Sequence, residues 1–258
     1  MKVWITGASS GIGEACAYEY AARGACLVLT ASSADKLQGV ADRCMGMGAG
    51  GAVALPYDLQ DPQGVPELCR QAWEAFSGLD ILFCNAGVSQ RSRIGDTSME
   101  TIRKIMEINY FAPVAISKGI LPLMLSRGGG KIAVTTSIAG RFGFPLRCGY
   151  SSSKFALYGF FETLAAEYGE IGVTMVCPGR VQTNISMNAL VEGGARYGRM
   201  DPGQASGLDV KTAARRIVRA IGKGRREVLV GRRELLMVYI KRFFPGLCPK
   251  LARKLKPV

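Results

Sequence analysis

Tyr150 and Lys154 are separated by three serines, in the run Y-S-S-S-K. Residues at i and i+4 of a helix share one face, a turn apart, so this spacing sets an ammonium beside a phenol. A free Tyr titrates near ~10 and shuttles protons poorly at neutral pH. A fixed positive charge favours the phenolate and brings the group toward the range where it can exchange a proton with a substrate oxygen. Gly149 and the serines add little bulk, which leaves room for a substrate and a flat cofactor. Of the nine tyrosines, only Tyr150 has a Lys four residues on. Taken alone, the pattern also describes a solvated helix face. The elements that would position it decide between the two.

Composition removes several chemistries first. The chain has 258 residues and no histidine, which excludes a Ser-His-Asp triad, a Cys-His pair and His-ligated zinc. The eight cysteines show no C-x-x-C spacing, so neither a zinc ribbon nor a thioredoxin-type dithiol is expected, and no metal site. Cys16, Cys26, Cys84 and Cys177 fall in apolar runs and read as buried, reduced thiols, which fits a cytoplasmic protein. The first strand-like run starts almost at Met1, so no signal peptide is expected. No apolar run is expected to reach the roughly 18–20 residues of a membrane span. The formal charge is +13, and part of it is local: residues 232–258 hold eight Lys/Arg and one acid, Glu234.

Short apolar runs alternate with helical periodicity. Strands are predicted at 3–6, 26–30, 52–57, 81–85, 131–136, 173–177 and 227–230, each nearly continuous in apolar residues, as in parallel strands buried on both faces. Helices are predicted at 12–23, 35–45, 62–76, 99–125 (interrupted near Pro113 and Pro122), 150–168 and 210–221. Repeated β-α-β units predict an α/β fold: a doubly wound parallel sheet of about seven strands, three layers αβα, the Rossmann architecture. Residues 1–231 form that domain, with a Gly-rich, polar loop or mobile lid near 186–208, followed by the extension 232–258.

Thr6 to Gly13 reads TGASSGIG, directly after the first strand and opening the first helix. There Gly7 permits a tight turn, Gly11 lets a pyrophosphate approach the backbone, and Gly13 permits close helix–strand packing. The helix N-terminus offers N–H groups to phosphate. With Asp58 after the third strand, Asn85-Ala86-Gly87 closing the fourth, Asn109 in INYF, Ser137 thirteen residues before Tyr150, and Pro178-Gly179 followed by Val181 and Thr183, the chain resembles the short-chain dehydrogenase/reductase family over about 230 residues.

That resemblance implies roles for particular residues. Tyr150 exchanges the proton, Lys154 lowers its pKa and bonds the nicotinamide ribose, Ser137 donates to the developing alkoxide, and Asn109 holds a water in a relay behind Lys154. Cofactor contacts are implied for Gly7, Ser9, Ser10, Gly11, Ile12, Gly13, Ser32, Ser33, Asp58, Leu59, Asn85, Ala86, Gly87, Tyr150, Lys154, Pro178, Gly179, Val181 and Thr183. The second strand ends in Ala31-Ser32-Ser33, without the carboxylate that bonds the ribose 2′-OH of NAD. The Arg of many NADP enzymes is also missing there. Ser10, Ser32, Ser33 and nearby Lys36 remain to receive a 2′-phosphate, so NADP is favoured and NAD is the alternative.

Val88, Ser89 and Gln90, the stretch 142–146, and residues 180–191 are expected to face the substrate. Phe142, Phe144, Leu146, Ile185, Met187 and Leu190 make that surface apolar, which suits a steroid-like, sphingoid or fatty-chain carbonyl or secondary alcohol. Packing on the sheet is the rival account of the same residues. A 3-oxoacyl carrier-protein reductase is the alternative enzyme, although the extension speaks against it. A catalytically silent nucleotide sensor or scaffold is the alternative of another class. In the extension, Leu236, Tyr239 or Ile240, Phe243 and Leu247 recur at helical spacing until Pro245, with basic flanks. This predicts a helix that packs on protein or lies on a membrane surface. No module for nucleic acid is present. The resemblance implies a homo-oligomer, a dimer or tetramer.

Overall fold

The computed structural model describes residues 1–254. Seven parallel strands form one sheet in the order β3-β2-β1-β4-β5-β6-β7. They are β1 (Lys2–Thr6), β2 (Cys26–Ala31), β3 (Gly51–Pro56), β4 (Ile81–Cys84), β5 (Gly130–Thr135), β6 (Ile171–Pro178) and β7 (Glu227–Val230). Side chains alternate across a strand, and here both faces are covered. Val3, Ile5, Leu27 and Leu29 are buried beneath α1 (Gly11–Ala21), α2 (Ala34–Gly46) and α8 (Val210–Gly222). Trp4, Val28, Leu82 and Ile132 are buried on the other face with α3 (Val65–Glu74), α5 (Ala112–Leu125) and α6 (Cys148–Glu167). This double burial explains why the strands read as unbroken apolar runs.

Three local expectations need correction. The third helix begins at Val65 rather than 62. Upstream of it, Asp58 accepts from Gln60 N–H (3.0 Å) and Asp61 from Gln63 N–H (2.9 Å), and these Asx turns compete with the helix. The 99–125 stretch is not broken at its prolines. α4 (Met99–Met106) passes through a π-helical turn, Glu107–Phe111, into α5, which runs through Pro122. Among the described residues, Met99–Leu125 is therefore one helix long and apolar enough to cross a membrane by length and composition. In this fold one side of it, with Ile105, Ile116, Ile120 and Met124, is buried in the domain.

The 186–208 segment is not a featureless loop. Leu190 N–H bonds Ser89 carbonyl (2.8 Å) and Arg91 N–H bonds Leu190 carbonyl (2.7 Å), a short bridge to the chain after β4. Ser186, Ala189 and Asp201 are buried, and α7 (Pro202–Ala205) follows. The extension forms α9 (Leu236–Phe243), which stops before Pro245, and α10 (Cys248–Ala252). Met237 and Cys248 pack with Ile138, Phe142 and Cys177. Phe142 thus lies beneath the extension, not on a substrate surface. Residues 255–258 of the predicted extension lie outside the described residues.

Candidate active site

Between β1 and β4 the strand order reverses, and the crevice of a doubly wound sheet opens at the carboxyl ends of such a pair. The glycine turn leaves β1 there. Gly7 has φ +65°, and a Cβ on it would fall 2.6 Å from Ala86 Cα. A Cβ on Gly13 would fall 2.2 Å from Gly7 carbonyl oxygen and 2.5 Å from Asn85 Nδ2. The turn and the N-A-G loop are thus in main-chain contact. Asn85 ties three strand ends together: Nδ2 donates to Thr6 and Gly7 carbonyls (3.3 Å each), and Oδ1 accepts from Thr135 Oγ1 (3.1 Å). Ser10 precedes α1 in extended backbone and makes no side-chain cap. The first N–H groups of α1 therefore lack a capping side chain, the donor set that fits a pyrophosphate. Ser9 and Ile12 are half-buried beside them. Thr183 closes on this turn from β6, with its side chain about where a Cβ on Gly11 would touch it (3.1 Å).

At the other end of the turn, β2 delivers Ala31, buried, then exposed Ser32 and half-buried Ser33. Ser33 stands at the N-cap of α2 without a side-chain cap bond. Asp58 is exposed and engaged with Gln60, while the Leu59 side chain belongs to the core.

Tyr150 and Lys154 lie one turn apart on α6, both buried. Lys154 Nζ donates to Thr135 carbonyl (2.7 Å) and stands 5.8 Å from the Tyr150 ring centroid. A Cβ on Gly87 would lie 3.2 Å from Asn109 Oδ1 and 3.5 Å from Lys154 Nζ, so the three residues converge. Ser137, at the exit of β5, receives Ala139 N–H (3.1 Å) and reaches Pro178 carbonyl at 3.5 Å. The electrostatics differ from the simple cation–phenol picture. Burial pushes the Tyr150 phenol up, while the Ser137 hydroxyl, Arg147 and Arg91 pull it down. Burial brings Lys154 down to about 7, so near neutrality it shares its proton readily. Arg147 and Arg91 thus join Lys154 as cations beside Tyr150.

Asn109 sits on the π turn and is buried. Its Nδ2 donates to Val88 carbonyl (2.9 Å) and Ser153 Oγ (3.0 Å), and Oδ1 accepts from Val88 N–H (2.8 Å). Both amide protons are used on protein. Pro113 has no N–H to give the i→i−4 bond to the Asn109 carbonyl. Ser153 bridges Asn109 to the Tyr150 carbonyl (2.8 Å). The other two serines face away: Ser151 and Ser152 line an apolar cavity of about 580 Å³ with Phe144 and Phe155 on the outer side of α6.

Gln90 is expected at the substrate and is instead fully buried. Its Oε1 accepts from Gly149 N–H (2.8 Å) and Tyr150 N–H (3.3 Å), and its Nε2 donates to Ser92 and Thr97 hydroxyls. Arg147, at the N-cap of α6, supplies no cap, so Gln90 fills orphan N–H groups of the catalytic helix. Glu234 of the extension reaches the Pro178-Gly179 loop, where its Oε1 accepts Arg180 N–H (2.8 Å) and lies where a Gly179 Cβ would be. Neither role has a local sequence signal, because each partner is distant along the chain.

A family model described as short chain dehydrogenase matches residues 1–192. The chain belongs to the short-chain dehydrogenase/reductase family. It is 39% identical over 251 residues to dehydrogenase/reductase SDR family member 7B of Mus musculus, covering 95% of this chain and 78% of that protein. Its fold is similar to a short-chain dehydrogenase/reductase from Burkholderia phymatum in complex with NAD (TM-score 0.84, 26% identity, 95% and 94% coverage). It is also similar to an alcohol dehydrogenase from Thermococcus sibiricus complexed with 5-hydroxy-NADP (TM-score 0.78, 27% identity, 90% and 96% coverage). As a family member this chain is an oxidoreductase with a nicotinamide cofactor, and the uncapped α1 terminus and glycine cradle fit the dinucleotide of the family.

Proposed function

We propose that this short-chain dehydrogenase/reductase uses NADP(H) to interconvert a carbonyl and a secondary alcohol on an apolar substrate of fatty-chain, sphingoid or steroid-like type, within lipid metabolism. The observation that carries this reading is the buried Tyr150–Lys154 pair, which converges with Asn109, Gly87 and Ser137 at the carboxyl edge of the sheet. Bound there, the dinucleotide supplies or accepts the hydride. The chain would hold it through Gly7, Ser10, Gly11 and Gly13 at the pyrophosphate, Ser32 and Ser33 at a 2′-phosphate, and the 178–183 loop at the nicotinamide. Ser137 donates to the substrate oxygen as negative charge grows on it. Tyr150 delivers the proton to that oxygen, and Lys154, with Asn109 behind it, replaces it. The absence of a carboxylate after β2 supports NADP over NAD, since an acid there would repel the extra phosphate.

The test is a panel of apolar ketones reduced with NADPH and NADH in parallel. Oxidation of NADPH at least about 10-fold more efficient than of NADH is expected. Equal use of both defeats the cofactor assignment, and no turnover of any ketone defeats the enzyme reading in favour of a silent sensor.

Two further parts of the reading concern surfaces. The outer side of α5 leaves Phe111 exposed beside a cavity of about 550 Å³ lined by Val65, Ala112 and Val114, which supports a homo-oligomer built on this face. In the extension, Leu236, Tyr239, Phe243, Phe244 and Leu247 are exposed while Met237 and Cys248 are buried. One face packs on the domain, and the other joins large apolar side chains to Lys241 and Arg242, which suits a cytoplasmic protein held peripherally at anionic lipid. Vesicles with 30% anionic lipid should float the protein, and Phe243→Glu with Phe244→Glu should leave most of it in the soluble fraction. Equal flotation of both proteins excludes an anchor through this face.

A further inference from the structure

Two guanidinium groups act on Tyr150, those of Arg91 and Arg147, and they share one carboxylate; a third, Arg180, lies near Arg147. Arg91 comes from the chain after β4, Arg147 from the residue before α6, and Arg180 from the residue after Pro178-Gly179. The carboxylate is Asp201, buried in the 186–208 segment. Arg91 takes both of its oxygens, through Nη2 and Nε, and gives Nη1 to Gln90 carbonyl (2.7 Å). Arg147 reaches only an Asp201 oxygen already held by Arg91, at 3.5 Å. Its Nε is buried without an acceptor, and the face of its guanidinium stacks on Phe144, 4.6 Å from the ring centroid. Arg180 extends over α7, where a Cβ on Gly203 would fall 2.6 Å from its Cζ. Arg180 also acts on Arg147 by repulsion.

Burying a cation without a matched acceptor is costly. The cost disappears when an anion completes the pairing, and a guanidinium offers a fork of donors suited to a carboxylate or phosphate. Phe144 holds the Arg147 fork in place, so little ordering is needed when a ligand arrives. A cation that served only to tune Tyr150 would not need open donors.

We infer that the substrate carries an oxyanion, a phosphate or a carboxylate, that seats on Arg147 with help from Arg180 while its carbonyl faces Tyr150. The inference rests on the reading of Tyr150 as the proton-transfer residue, and it narrows the apolar substrate to an amphiphile with its charge a few bonds from the ketone.

The test uses three ketones of one chain length that carry, next to the carbonyl, a phosphate ester, a carboxylate or a neutral hydroxyl. The whole chain is assayed with NADPH as wild type, Arg147→Gln and Arg147→Lys. Charged hydrogen bonds lead us to expect that wild type favours one of the anionic ketones over the neutral one by roughly 10- to 100-fold in kcat/KM, mostly through KM. The preferred anion identifies the source. Arg147→Gln should bring the ratio to within about 3-fold of unity, and Arg147→Lys should restore part of it. Turnover of the neutral ketone without any anionic preference in wild type overturns this inference alone. Equal loss on all ketones in Arg147→Gln, with the ratio kept and the pH profile moved, also overturns it by making Arg147 a tuner of Tyr150. No turnover of any ketone overturns the oxidoreductase reading itself.

Discussion

Replacing Tyr150 by Phe should lower ketone reduction by about 10³-fold and leave dinucleotide binding within a few-fold of wild type. Phe keeps the ring that α6 buries and removes only the hydroxyl, so neither the helix nor the crevice has reason to shift. What is lost is the proton at the substrate oxygen, and positioned proton transfer contributes typically ~10²–10⁴-fold. Burial raises this phenol, whereas Ser137 and two arginines oppose that. The net shift is upward, so the phenol is held as the protonated acid, and water in a desolvated crevice is a poor substitute. Steady-state rates with NADPH, beside a titration of dinucleotide binding, separate the two effects. A loss under about 10-fold would remove Tyr150 from the mechanism. Matching loss of binding would make it a structural residue instead.

The second large effect is expected of Gly13→Ala, a single added methyl. Its Cβ would meet the Gly7 carbonyl oxygen at 2.2 Å and Asn85 Nδ2 at 2.5 Å. One of these is backbone, and the other already bonds the Thr6 and Gly7 carbonyls. No rotamer relieves the contact, so α1 must move away from the turn. Overpacking of this kind costs about 1–3 kcal/mol, a drop of roughly 3–10 °C in Tm for a domain of this size. A displacement near 1 Å at a site of this kind costs ~100-fold in rate, so turnover with NADPH should fall by about that factor. Gly39→Ala on α2 is the matched control. Nothing lies within 4 Å of its added methyl, and relief of glycine's backbone entropy should stabilise the protein by about 0.5–1 kcal/mol. Calorimetry on the two variants should give shifts of opposite sign. Equal behaviour would show that the close approach at Gly13 is not maintained in solution.

Much of the site is legible in the chain because its parts are local. The glycine turn, the N-A-G loop, and the Tyr150–Lys154 spacing each need only a few consecutive residues, and each follows a strand whose apolar run marks it. The π turn was not legible. Pro113 marks an irregularity, but the break falls upstream at Glu107–Phe111, because Pro tolerates the first turn of a helix and disturbs the carbonyls before it. Gln90 was misplaced for a related reason. A polar residue after a strand reads as a pocket residue until the helix whose N–H groups it caps is folded against it.

The doubly wound α/β class, the phosphate turn and the spacing of phenol and ammonium were determined by the sequence itself. Alternation, glycine placement and helical spacing act over distances of a few residues. Only the folded chain decided which charges surround Tyr150. Arg91, Arg147 and Asp201 are spread over 110 positions and meet through crossovers of the sheet. Burial then lowers Arg91 and Arg147 by amounts that their neighbours in the chain cannot set, because desolvation and Coulomb forces depend on distance in space.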